Sequence, residues 1–277
     1  MQTAAVTPAP ITNWSHANEK QATAVDGDLA VGLDLLEKGQ LVEARSVLNT
    51  ILNDPDTPQD QGAMIRRKLT DINQTLVFSP RVIPGDPLVS SHTIKSGQLL
   101  STIAPDYQIP YELIELINGV SARRIRLGQT LKIIKGPFHA TVHKSDYRMD
   151  LFLTGSGGQP VYIRSLKVGL GQDNSTPPGQ WILRRGGRVA NPGWTNPRTG
   201  KVYTPGDPKN PIGEYWIGLE GAEEQTKGLA GYGIHGTIEP DSVGQQVSMG
   251  CVRLAPKDIA LVYQLLTDGK SRVTIRP

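Results

Sequence analysis

The stretch GIHGTIEPDSVGQQVSMGCVRL, residues 233–254, holds the only cysteine of this 277-residue chain, sixteen positions after His235. A lone cysteine is more often a small buried hydrophobe than a reagent. Here three local features argue for chemistry. Gly250 lets the backbone at Cys251 approach another molecule closely. His235 ends its own glycine-rich strand, from which a loop can bring it back to the thiol. Ser248 and Arg253 bracket the cysteine with a hydroxyl and a positive charge. A free thiol titrates at roughly 8.5, and an adjacent imidazolium lowers that value. The sequence therefore predicts a thiolate–imidazolium pair, an activated nucleophile.

Around this stretch, residues 137–277 read as short strands separated by turns, such as HATVHKSDYRMDLFLTG and QPVYIRSLKVGLG, with one late helix. That helix, KDIALVYQLLTDG, puts Ile259, Val262, Tyr263 and Leu266 on one face. The fold class expected is multidomain. Its largest part is a mainly β domain, a β-sandwich or partly closed barrel with one late helix.

Upstream, residues 1–26 read as a flexible polar leader and 27–78 as helices. Leu29, Leu33 and Leu36, then Leu41, Ala44, Leu48 and Ile51, keep helical spacing, and Gly39 separates the runs. This segment resembles a tetratricopeptide-type helical hairpin, without the repeats a solenoid needs. Residues 79–91, with three prolines before Leu88, read as an extended linker. Residues 92–136 read as strand, two short helices and strand.

The bulk numbers exclude several classes. A net charge of +3 is too small to argue for nucleic acid. Residues 1–91 carry 7 basic against 11 acidic side chains, so the excess positive charge lies further on. It is densest over 181–215, which fits either a solvated loop or one facing an anionic polymer or a substrate carboxylate. One cysteine allows no internal disulfide. No apolar run is long enough for a transmembrane segment, and the start lacks the basic and apolar regions of a signal peptide. His139 and His143 lie four apart with no further ligand between them, so no metal site is expected. The lone GYGIHG lacks a βαβ context, and no cofactor is expected.

Two resemblances follow from the motifs. HTIKSGQLLSTIAPDYQIPYELIELINGVSARRIRLGQTLKIIKG, 92–136, resembles the lysin motif (LysM) at Gly97, Leu100, Tyr107, Leu113, Asn118, Gly128 and Leu131. It departs at Gln98, where family members usually carry Asp. The resemblance implies a peptidoglycan-binding module. GYGIHGT…SMGCVRL, with STPPGQWIL and NPIGEYWIGL upstream, resembles the signature of bacterial L,D-transpeptidases, the cysteine enzymes that cross-link peptidoglycan. It departs at Met249, where many members carry histidine.

The second resemblance implies a cell-envelope or periplasmic enzyme, open to inhibition by carbapenems. Cys251 would attack the diamino residue of a tetrapeptide stem, release D-Ala and pass the acyl group to an amine. His235 would move protons, held by the Gly236 carbonyl, and the N–H groups of Gly250 and Cys251 would hold the oxyanion. Ser248, Arg253 and Tyr232 would contact substrate or brace the loop. Alternatives are an L,D-carboxypeptidase using the same site, or a peptidoglycan-binding scaffold without catalysis.

Overall fold

The computed structural model describes residues 27–155 and 157–277. The leader expected over 1–26 lies outside the described residues. The chain divides into two compact units with the boundary between Ile65 and Arg66.

The first unit holds helix α1 (residues 27–37), α2 (Leu41–Leu52) and the start of α3 (Gln59–Leu76). Gly39, at φ +73°, ends α1 in the left-handed conformation that glycine adopts without steric cost. Gly32 sits where α1 and α2 meet: a Cβ there would come within 2.9 Å of Leu48 Cδ2. Ala44, Leu48 and Ile51 are buried, as their spacing predicts.

In the second unit, β1 (Val89–Thr93) pairs antiparallel with β2 (Thr130–Ile134), and α4 (Leu100–Ile103) and α5 (Tyr111–Asn118) lie between them. The strand begins at Val89, inside the stretch read as linker, because Val89 finds Ile134 across the ladder. Pro105 comes just after α4 ends. It stands at the start of a 3-10 turn, Ala104–Tyr107, where its missing N–H loses nothing. Gln98 caps its turn, with Oε1 accepting the Lys95 N–H at 2.9 Å. Asn118 ties α5 to β2 by accepting the Lys132 N–H and donating to the Lys132 carbonyl, at 2.8 and 2.9 Å.

The remaining strands are β3 (Phe138–His143), β4 (Arg148–Thr154), β5 (Pro160–Lys167), β6 (Leu170–Gly171), β7 (Gly179–Ala190), β8 (Trp194–Thr195) and β9 (Val202–Tyr203). After them come β10 (Tyr215–Gly221), β11 (Gly233–His235), β12 (Gln246–Ser248), β13 (Val252–Arg253), helix α6 (Pro256–Leu265) and β14 (Arg272–Arg276). Eight of them form one mixed sheet in the order β13-β11-β10-β7-β14-β3-β4-β5. The domain is thus mainly β with one late helix, as its patterning predicts. Trp181, Leu183, Ile217, Ile234 and Val273 from the sheet are buried with Ile259, Val262 and Leu265 of α6. His139 and His143 serve separate neighbours. His139 Nδ1 accepts the Arg272 N–H at 3.0 Å, and His143 Nε2 lies 3.1 Å from the Asp150 carboxylate.

The β1–β2 module is docked on this sheet rather than tethered to it. Arg188 of β7 donates to the Tyr263 carbonyl at 2.6 Å, lies 4.1 Å from the Tyr263 ring centre, and is 3.4 Å from Glu112 of α5. Thr267 donates to the Gln108 carbonyl at 3.0 Å. This seam explains why Tyr263, grouped by sequence with the core face of α6, is only half-buried. On another side, Lys132 donates to the Leu76 and Ser79 carbonyls, and Asn73 of α3 donates to the Tyr162 carbonyl. Arg188→Ala leaves Glu112 and the Tyr263 carbonyl short of their charged donor. The expected cost is about 2–3 kcal/mol in urea unfolding, with faster amide exchange over 108–118 and 263–267. Unchanged exchange there would mean that Arg188 does not hold the seam.

Candidate active site

Two strand pairs fix the turn that carries Cys251. Before it, β12 runs parallel to β6, with Ser248 opposite Gly171. After it, β13 runs parallel to β11, with Ile234 opposite Val252 and His235 opposite Arg253. Arg253 also exchanges both backbone hydrogen bonds with Gly169, at 2.8 Å each. Continuing the β11–β13 ladder by one residue sets Cys251 beside Gly233. The thiol and the imidazole therefore come from neighbouring strands, two residues out of step.

Ser248 locks the turn from within. Its hydroxyl donates to the Cys251 carbonyl at 2.7 Å and accepts the Gly250 N–H at 3.2 Å. That second bond corrects one expectation: the Gly250 N–H, read from sequence as an oxyanion donor, is already engaged. Gly250 has φ +119°, and a Cβ there would lie 2.8 Å from the Tyr232 ring. Tyr232 is backed in turn by the buried Trp181, with ring centres 5.5 Å apart. Tyr232 thus forms the wall against which the cysteine turn packs.

Several supporting residues escaped the sequence reading. Gly171 meets Gly250 backbone to backbone, since a Cβ on it would come within 2.7 Å of the Gly250 Cα. Lys144, buried, donates to the Thr176 carbonyl at 2.6 Å and the Asn174 carbonyl at 3.2 Å, and burial lowers its pKa. Thr176 Oγ1 accepts the Gly171 N–H at 2.8 Å. An ammonium thus props the loop that braces the cysteine turn.

His235 is 4% exposed, and its Nδ1 donates to the Gly236 carbonyl at 2.6 Å. A carbonyl only accepts, so Nδ1 carries the proton and Nε2 of the neutral ring keeps its lone pair. The indole of Trp216 stacks on this ring, with centroids 5.9 Å apart and planes 18° apart. Burial drives the His235 pKa down to about 4; the Gly236 carbonyl opposes the shift and the Arg253 charge adds to it. Burial likewise raises the Cys251 thiol, partly offset by the Gly233 backbone and Arg253. The thiol donates to the Gly231 carbonyl at 3.6 Å.

Both groups are therefore neutral near pH 7, whereas the sequence suggested a preformed ion pair. Desolvation is the largest cause of both shifts, and it depends on burial that the sequence does not display. Arg253 is half-buried and feels the charge of Glu239, and among the described residues its buried Nε has no hydrogen-bond partner. Such an arrangement can attack an acyl carbon through sulfur while the lone pair of a neutral imidazole takes the thiol proton.

Comparison with known proteins places the chain in a family. Residues 137–275 match the YkuD family, the L,D-transpeptidase catalytic domain, and residues 92–133 match the LysM domain. The chain belongs to the YkuD family of L,D-transpeptidase catalytic domains and carries a LysM domain. Among its relatives are the YkuD proteins of Bacillus licheniformis and Bacillus subtilis, both named as candidate L,D-transpeptidases. Each is 26% identical, over 67% of this chain and 98% of its own length. YbiS of Escherichia coli, likewise a candidate L,D-transpeptidase, is 27% identical over 70% of this chain and 67% of its own.

Solved structures that resemble it include an L,D-transpeptidase from Mycobacterium smegmatis, 16% identical. It matches over 54% of this chain and 64% of its own, with a TM-score of 0.36. At that TM-score it adds nothing to the assignment. Among the described residues no helix is long and apolar enough to cross a membrane. No group of three His, Cys, Asp or Glu side chains among them could hold a metal ion.

Proposed function

We propose that this protein cross-links peptidoglycan by acyl transfer through Cys251. The observation that carries the reading is the fixed tautomer of His235, whose Nδ1–H is tied to Gly236 so that the other ring nitrogen is free to act as a base. The thiol of Cys251 attacks the carbonyl of the diamino residue of a tetrapeptide stem as its proton passes to His235. The imidazolium then protonates the departing amine, D-Ala leaves, and a thioester remains. An amine of a second stem attacks the thioester and gives a proton to His235. The thiolate leaves and regains a proton from the imidazolium, so the enzyme returns unchanged.

With the Gly250 N–H engaged by Ser248, the Cys251 N–H is the backbone donor left for the oxyanion, a type of contact worth about 3–4 kcal/mol. The LysM domain binds glycan of the same polymer, which holds stems at high local concentration. Both activities belong outside the cytoplasmic membrane, where peptidoglycan lies.

The test is mass spectrometry of purified tetrapeptide stems after incubation with the protein. A cross-linked dimer, with release of D-Ala, is expected. A trimmed tripeptide alone would make the enzyme a carboxypeptidase, and unchanged stems would leave a binding scaffold.

A further inference from the structure

One row of the sheet leads to the thiol without side chains of its own. Gly218 of β10 pairs with Gly233 of β11, and the β11–β13 ladder continues from Gly233 to Cys251. Trp216 fills this row. Its benzo edge overlies Gly233, where a Cβ would lie 2.7 Å from Cζ2 and Cη2. Its Nε1 lies at the Gly218 end, 3.3 Å from where a Cβ would stand. At that same end the guanidinium of Arg184 overlies Gly218, with Nε at 3.4 Å and Nη2 at 3.5 Å from the same point. The β7–β10 register jumps there. Ile217 faces Arg188 while Leu219 faces Leu183, so residues 184–187 bulge and carry Arg184 over the sheet.

Two donor groups thus stand side by side. Among the described residues, neither Arg184 nor Trp216 Nε1 has a hydrogen-bond acceptor or an ion pair. Asp268 feels the Arg184 charge only at longer range. Both groups face the side of the sheet that carries His235, since Trp216 stacks on that ring. Two strand spacings separate Gly218 from Cys251, roughly 10 Å. Attack distance, one residue step of about 3.8 Å and a hydrogen-bonded ion pair together span that gap.

We propose that Arg184 and Trp216 Nε1 form a subsite for a carboxylate of the donor stem, the terminal carboxylate of the leaving residue fitting the spacing. This rests on the acyl-transfer reading above and deepens it. An arginine fork beside an indole N–H suits a carboxylate, which accepts from both. Recognition of a chain end at this distance restricts attack to the last peptide bond.

The experiment measures thioester formation, by intact mass, with three tetrapeptide stems: free acid, C-terminal amide, and amide at the diamino residue's own carboxylate. With the native protein, amidation at the recognised carboxylate should raise KM about 10- to 100-fold, the loss of a hydrogen-bonded charge. Arg184→Gln should raise KM for the free acid by a similar factor with kcat little changed. It should also stop distinguishing acid from amide. Arg184→Lys should recover part of the loss.

Discrimination at the terminal carboxylate supports the proposal as stated. Discrimination at the diamino carboxylate supports the subsite and reassigns which carboxylate fills it. Equal KM values and unchanged discrimination in Arg184→Gln overturn the subsite and leave acyl transfer standing. Failure of the native protein to form a thioester with any stem overturns both.

Discussion

Cys251→Ala yields a folded protein that forms no covalent adduct with a carbapenem or with a stem peptide, and its turnover falls by at least about ten-thousand-fold. The side chain removed is small and half-buried, so stability changes by less than about 1 kcal/mol. The turn survives because it is held by groups other than the sulfur. These are the Ser248 hydroxyl, the paired backbone of Gly169 and Arg253, and the contact of Gly250 with Tyr232. Intact-mass spectra of native and variant protein after carbapenem treatment decide the matter. An adduct that persists in the variant, or none on the native protein, removes Cys251 as the nucleophile.

His235→Asn should lower thioester formation by about 10²- to 10⁴-fold, the usual contribution of a positioned general base. The native pH profile follows from the buried imidazole. Its folded pKa is about 4, so it stays an acceptor down to that pH and activity falls only below it. A profile that instead breaks near 6.5 would mean the ring is solvated during reaction.

Stability carries the same signature. The unfolded chain protonates His235 near the ordinary value of 6.5, and the folded chain does so near 4. Between those values the unfolded state binds more protons. The contribution is therefore complete above pH 6.5 and is lost as pH falls toward 4, by up to about 3 kcal/mol. His235→Asn removes this contribution, so its urea midpoint should vary less than the native one between pH 7 and pH 4.5.

The candidate residues could be singled out because the covalent roles proposed for them need particular atoms. A single thiol flanked by glycine, a histidine in a glycine-rich strand, and a hydroxyl and a guanidinium alongside can be read one by one. The LysM domain was legible because hydrophobic period and turn residues act locally. Gly97, Asn118 and Gly128 sit at turns or helix ends, and two of them are glycines at positive φ after short polar turns. Gln98 shows the reach of such reading. The departure from Asp was visible, and only the folded turn revealed that the longer amide still accepts the Lys95 N–H.

What the chain by itself determined was the class of each segment and which side chains are candidates for the reaction, since propensity, periodicity and side-chain chemistry are properties of neighbours in sequence. Tertiary structure alone decided the charge state of the site, because desolvation depends on which distant residues exclude water from His235 and Cys251. It alone decided that the Gly250 N–H is consumed by Ser248, that Lys144 props a loop thirty residues away, and that Arg188 fastens the LysM domain to the sheet. Each of those contacts joins groups that no local rule brings together, and their energies arise only once the sheet has closed around them.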